Sequence, residues 1–303
     1  MSMEQQEGFR SGFISIIGRT NVGKSTLLNR ILKQKIAIMS EKPQTTRNKI
    51  VGIYHSNHAQ IVFIDTPGFH KPKHRLNEIM LKTAIKTLEG IDAVLYLIEP
   101  DKVVGPGDRH IIDLFQGINT PVILAINKID LVPKEQLLPV IDTYSRAYTF
   151  AEIIPISALE NENVDHTIGA LIAYLPEGPQ YYPDDMVTDQ PERFLAAELV
   201  REKVLHLTRE EIPYSIAVVV EKMKSREDSN IVDIDATVYV EKSSQKGILI
   251  GKSGEMLKRI GTLARKDIEM LLGTKIYLRL WVKVRKNWRM NKNYLRMFGY
   301  RNT

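Results

Sequence analysis

Residues 18–25 read GRTNVGKS. Two glycines five apart, followed by Lys24 and Ser25, have the spacing of a loop that wraps phosphate groups. The apolar run FISII ends at Gly18 and the helical pattern STLLNRIL begins at Ser25, so the loop joins a strand to a helix N-terminus. Glycines there let backbone N–H groups approach a phosphate, and the helix end adds roughly half a positive charge. Gly18, Arg19, Thr20, Asn21, Val22, Gly23, Lys24, Ser25 and Thr26 are therefore the candidate nucleotide-binding stretch. Lys24 would reach the β and γ phosphates, and the Ser25 hydroxyl would ligate Mg²⁺.

Working outward, short apolar runs alternate with helical stretches over the first 175 residues: FISIIG then KSTLLNRILKQ, IVFID then LNEIMLKTAIKTLEG, AVLYLIE then DRHIIDLFQG, VILAINK, and EIIPIS then VDHTIGALIAYL. This alternation predicts an α/β domain, a doubly wound and mostly parallel sheet covered by helices. Three further motifs fall at predicted strand ends. Asp65-Thr66-Pro67-Gly68 follows IVFID, with Asp65 placed to hold Mg²⁺ through water and the Gly68 amide to touch the γ phosphate. Asn127-Lys128-Ile129-Asp130 follows VILAI, where the Asp130 carboxylate can accept from two guanine N–H groups at once, a pairing adenine cannot offer. Ser157-Ala158-Leu159 follows EIIPI and offers a backbone amide to the guanine oxygen. A lone D-T-P-G is a common turn; four motifs in this order predict a domain that binds and hydrolyses GTP.

Between Pro176 and Pro191 the pattern stops, and the proline- and acid-rich LPEGPQYYPDDMVTDQP reads as a linker. The expected division is a nucleotide domain over 1–176, a linker over 177–192 and a second domain over 193–303. The second domain runs helix, strand, strand, helix, loop, helix, strand, a small α+β arrangement. Its loop repeats the letters GKS at Gly251-Lys252-Ser253. A second phosphate loop would need glycine at 246, where the chain has Lys246. What stands there is G-x-x-G, Gly251 to Gly254. In KH domains such a loop clamps about four nucleotides of single-stranded RNA. After it, Met256, Leu257, Ile260, Leu263, Ala264, Ile268 and Leu271 fall at helical spacing as a buried stripe, with Lys258, Arg259, Arg265 and Lys266 off it. Gly251, Lys252, Ser253, Gly254, Lys258 and Arg259 are the candidate RNA contacts.

Composition agrees. The chain is 43% hydrophobic and 26% charged, as folded globular proteins are, and has no cysteine, which excludes disulfides, thiolate zinc and a cysteine nucleophile. No apolar run approaches the roughly 20 residues of a membrane span, so a cytoplasmic protein is expected. The net charge of +6 is concentrated: from Met270 onward there are nine Lys or Arg and no acid, leaving the rest at −3 (6 minus 9). Such a tail suits a polyanion or an anionic membrane surface. Trp281, Trp288 and Tyr294 interleave with its basic residues and could stack on bases, Trp281 in mid-strand being the one expected in the core.

The combination GRTNVGKS, QTTR, DTPGFH and NKID resembles the translation-factor-related bacterial GTPases, and among them the Era family, whose C-terminal half is a type II KH domain. The resemblance implies GTP/GDP and Mg²⁺ as cofactors, 16S rRNA near its 3′ end and the small (30S) ribosomal subunit as partners, a monomer, and peripheral association with the inner face of the membrane. It also implies that a threonine of QTTR ligates Mg²⁺ when the γ phosphate is present; Thr46 takes that role, with Thr45 as runner-up. Ras-type enzymes place a water-orienting glutamine after the D-x-x-G glycine, whereas this chain has Phe69. The nucleophile must then be positioned by His70, a backbone group, a partner or a monovalent cation. Asn21 matches the asparagine with which some related GTPases hold K⁺; its other reading is a cap for the loop. Lys24, Asn21, Thr46 and Gly68 are the candidate catalytic residues. The alternative function is an RNA-binding module whose nucleotide domain does not turn over.

Overall fold

The computed structural model describes residues 8–69, 74–101 and 103–300. They divide into two compact units, one drawn from residues 8–37, 46–69, 80–101 and 103–189, the other from residues 38–45, 74–79 and 190–300.

The chain runs β1 (Arg10–Gly18), α1 (Lys24–Leu32), β2 (Ile50–His55), β3 (Ala59–Asp65), α2 (Arg75–Lys86), β4 (Ala93–Ile98), α3 (Pro106–Phe115), β5 (Val122–Ile126), α4 (Leu137–Ala147), β6 (Glu152–Pro155) and α5 (Val164–Ala173). The sheet order is β2-β3-β1-β4-β5-β6, parallel except for the β2–β3 pair. Strand β4 reads AVLYLI and every residue is buried, the signature of a parallel strand covered on both faces. Val94, Tyr96 and Ile98 of β4 and Val122, Leu124 and Ile126 of β5 pack in one cluster with Ile111, Ile112 and Phe115 of α3 and Val140 and Tyr144 of α4. This is the doubly wound fold the alternation predicts. The loops at the C-terminal ends of β1, β3, β5 and β6 are thereby held at one end of the sheet, where ligands bind in such folds.

Strand β2 has no counterpart in the sequence reading. It is an antiparallel edge strand, hairpinned to β3 through Ser56, whose N–H donates to Ala59 O at 2.9 Å. The Pro-rich stretch also differs from the expected free linker: the first unit continues to Asp189. Ser11 N donates to Pro176 O (3.1 Å), Gly178 N to Phe9 O (3.0 Å) and Ile53 N to Val187 O (2.8 Å). Buried Gln60 accepts at Oε1 from Tyr181 N (2.7 Å) and Tyr182 N (3.0 Å). The segment covers the open edge of β2, where unpaired backbone groups would otherwise face water.

The second unit is built from α6 (Glu192–Leu207), α7 (Ile212–Ser215), β7 (Ala217–Ser225), β8 (Ile231–Val240), α8 (Ser243–Ile250), α9 (Glu255–Leu272), β9 (Lys275–Val284) and α10 (Lys292–Met297). Its sheet is β7-β8-β9, the first pair antiparallel and the second parallel. Leu199, Val200 and Val204 of α6, Ile234, Ala236 and Val238 of β8, and Ile260, Ala264 and Ile268 of α9 share one core. Helix α6 is buried from Leu195 to Leu205, charged residues included. Those charges are paired, as buried charges must be: Arg201 Nε and Nη2 donate to Glu198 at 2.8 and 2.6 Å, and Lys203 Nζ to Glu202 and Asp267 at 2.8 and 2.5 Å. Along the same helix, Met39 N donates to Glu202 Oε1 at 2.9 Å, and Lys42 Nζ donates to the carbonyls of Leu205 and Thr208.

The tail corrects the tryptophan reading. Trp288 is 0% exposed, its Nε1 donating to Ser215 O at 2.8 Å, and it sits in an aromatic cluster with Phe298 and Tyr300. Trp281 is 41% exposed. Strand periodicity is the cause: Ile276 and Val282 point into the core, so residues an odd number of positions away face outward.

Candidate functional site: a phosphate loop, a guanine-reading edge and a G-x-x-G loop

The phosphate loop is closed on Lys24. Its ammonium donates to Gly18 O at 3.1 Å and Arg19 O at 2.7 Å. Burial pulls its pKa down to about 8, against the opposing pull of the Asp65 charge. Ser25 Oγ lies 2.9 Å from Asp65 Oδ2 and 3.0 Å from Thr46 Oγ1, and Thr46 Oγ1 is 3.3 Å from the same carboxylate oxygen. Burial pushes the Asp65 carboxyl up, with the Lys24 charge and the two hydroxyls pulling it back. Asp65 Oδ1 is buried with no hydrogen-bond partner. Two hydroxyls gathered on Oδ2, with Oδ1 of the same carboxylate left without a partner, make a hard oxygen set that fits Mg²⁺, which takes few protein ligands and keeps its waters and phosphate oxygens. Thr45 is turned elsewhere, its hydroxyl donating to Lys42 O at 2.6 Å.

The D-x-x-G turn packs on the loop. A Cβ on Gly68 would fall 2.9 Å from Thr20 N, so only glycine lets the two backbones meet. Phe69 N donates to Gly18 O at 3.3 Å, while the Phe69 ring is buried in the core. Thr66 and Pro67 are buried, and the Thr66 hydroxyl donates to Ile16 O at 2.9 Å, which fixes the strand end. Asn21 is exposed with φ 68. His70 lies outside the described residues. The Arg19 side chain leaves the loop and donates to Asp108 at 2.9 Å. Thr26 is half-buried in the first turn of α1.

At the guanine edge Asn127 stitches two loops together: its Nδ2 donates to Val22 O at 2.8 Å, and its Oδ1 accepts from Ala158 N at 2.9 Å. Asp130 is exposed, with Oδ1 accepting from Ser157 Oγ at 2.5 Å, which orients the carboxylate. Lys128 has φ 66 and pairs with Glu99. Leu159 is 61% exposed. Sequence reading missed Arg30 of α1, whose guanidinium donates to the carbonyls of Ala158 (3.1 Å) and Leu159; no motif marks it.

In the second unit the G-x-x-G loop joins α8 to α9. Gly251 has φ 73, Ser253 φ 51 and Gly254 φ 83. A Cβ on Gly251 would meet Met256 N at 2.9 Å, whereas at Gly254 nothing lies within 4 Å. One glycine closes the turn and the other leaves open space above the backbone, as a loop that admits a sugar-phosphate chain requires. Lys252, Ser253, Lys258 and Arg259 are exposed beside it, and Ile260, Ala264 and Ile268 form the buried stripe of α9.

The family described as "50S ribosome-binding GTPase" matches residues 13–128, and the KH domain family matches residues 211–289. The class is a P-loop GTPase carrying a KH domain. GTPase Era of Alkaliphilus oremlandii is 56% identical over 292 residues, covering 96% of this chain and 99% of that one. The chain belongs to the Era family. A solved structure of Era in complex with MgGDPNP and nucleotides 1506–1542 of 16S ribosomal RNA matches 96% of this chain and 99% of its own, with 43% identity and TM-score 0.93. Aquifex aeolicus Era bound to GDP and AlF₄⁻ matches with the same coverage and identity at TM-score 0.92.

Proposed function

We propose that the protein is a GTP-hydrolysing switch that binds single-stranded 16S rRNA near its 3′ end and assists assembly of the 30S ribosomal subunit. The observation that carries the reading is the near full-length match, TM-score 0.93, to a protein solved with both a magnesium-bound GTP analogue and that RNA segment. The site geometry supports it. Lys24, already held by two loop carbonyls, neutralises the β and γ phosphates; Ser25, Thr46 and Asp65 would hold Mg²⁺, whose charge offsets that developing on the phosphates. The Gly68 amide meets the γ phosphate, and Asp130, oriented by Ser157, reads guanine. Water attacks the γ phosphorus and gives GDP and phosphate.

With Phe69 in the core, water is oriented by another group, and Asn21 is our candidate to hold K⁺ for that task. Residues 251–254 with Lys258 and Arg259 grip the RNA. The acid-free tail also suits loose attachment to an anionic membrane; among the described residues no helix is long and apolar enough to cross one. The test is phosphate release from GTP, in equal KCl and NaCl, with and without an rRNA 3′-end oligonucleotide. We expect turnover, faster in KCl. Absence of phosphate release with intact RNA binding would instead support the non-hydrolysing module, and equal rates in both salts would remove K⁺.

A further inference from the structure

The stretch Gly105-Pro106-Gly107-Asp108 belongs to none of the nucleotide motifs, yet it ends at the phosphate loop. Asp108 stands in the first turn of α3, where the helix N-terminus favours a negative charge. It is 1% exposed, and a buried carboxylate is costly unless fully engaged. Both oxygens are engaged: Oδ2 accepts from Arg19 Nη1 at 2.9 Å, and Oδ1 accepts from the Tyr96 hydroxyl at 2.8 Å. Burial and then the Asp108 charge hold that hydroxyl protonated, far above the usual phenol range, so it remains a donor. The arginine stem lies on Gly107, whose added Cβ would stand 3.3 Å from Arg19 Cδ. Asp101, at 3.6 Å from the same guanidinium nitrogen, is a more distant and exposed second acid.

Arg19 is joined to the chemistry by its backbone. Its carbonyl is the nearer of the two that hold the Lys24 ammonium, at 2.7 Å. It also forms a parallel bridge with Phe69, the residue after Gly68. A carboxylate fixed from β4 and α3 therefore sets the arginine, and the arginine sets one carbonyl that aims Lys24 and one edge of the D-x-x-G turn. A solely structural ion pair would not need to be anchored in the phosphate loop.

We infer that Asp108 is a positioning residue for GTP hydrolysis, acting through Arg19 to hold the phosphate loop and Lys24 in place. The inference rests on the GTPase reading above. Its test compares Asp108→Asn, Arg19→Ala and the double variant with wild type. The measurements are dissociation of a fluorescent GDP, kcat and KM for GTP, and the thermal midpoint. Each single change should speed GDP release about tenfold, the scale of one charge-assisted hydrogen bond, and lower kcat with a smaller change in KM. The double variant should be no worse than the worse single one, because both cut the same connection. Arg19→Lys should restore part of the loss. Unchanged release and kcat with only a lower thermal midpoint would overturn the inference, as would additive losses in the double variant. Failure of the wild type itself to bind fluorescent GDP would sink the GTPase reading first. Should Asp108→Asn or Arg19→Ala fold poorly, Arg19→Lys, which keeps a cation beside the buried Asp108 carboxylate, keeps the test decisive.

Discussion

Lys24 illustrates how one residue serves two states. Its ammonium is buried and its pKa falls to about 8; phosphates placed against it would favour the charged form and raise the value. Nucleotide binding therefore takes up a proton above pH 8. Affinity should be full below that pH and fall by up to about tenfold per pH unit above it. Titrating fluorescent-GDP affinity from pH 7 to 9.5 checks this, and a flat profile would contradict the depressed lysine. Single residues were read unevenly from sequence. Lys24, Ser25 and Asp65 were legible because the phosphate loop and D-x-x-G have fixed spacing, and the structure brings all three together. It also brings in Thr46 in preference to Thr45, a choice made by a chain direction no spacing encodes. The Arg19 side chain was beyond sequence reading because its partner, Asp108, lies 89 positions away.

At the scale of elements, the G-x-x-G loop carries the sharpest prediction. Its backbone is admitted to open space at Gly254, so two carboxylates in place of Lys252 and Ser253 would face the RNA phosphates. Lys252→Asp with Ser253→Asp should abolish binding to an rRNA 3′-end oligonucleotide while GTP affinity stays unchanged. For the wild type, log affinity should fall with log salt at about −0.7 per neutralised phosphate, near −3 for about four clamped nucleotides. Filter binding across a salt series measures both, and equal affinity of variant and wild type would leave the tail as the sole binding element. The long apolar strands and α9 were legible because their hydrophobic period is uninterrupted. Strand β2 was not, since IVGIYH has a mid-strand glycine and pairs antiparallel at an edge. Its signal, β-branched residues before the turn at Ser56, is weak. Strand β9 held its answer in its own alternation: KIYLRLWVKV places Trp281 with the exposed Lys275, Tyr277 and Arg279.

For the whole molecule, the order of elements and the change of pattern after residue 175 made two units legible from sequence. Composition misled about what joins them. Proline and acid usually mark a chain that cannot bury enough apolar surface to stay ordered. Here Phe13 packs on Tyr181 with ring centroids 5.1 Å apart, and the backbone of the stretch is hydrogen-bonded to β1 and β2. Gln60 is the fastener, gripping Tyr181 and Tyr182 through both ends of its amide. Sites of proteolytic nicking are exposed and unfastened, so a protease should pass over residues 177–188 despite their composition. Gln60→Ala unhooks both tyrosines. Limited thermolysin digestion of the full chain should cut that variant between Pro176 and Asp189 roughly ten times faster than wild type, since cleavage tracks the population of the opened state. Equal digestion rates would mean that the segment is held by its other bonds alone. On this reading the protease resistance of a proline-rich stretch would rest in good part on one buried glutamine of β3.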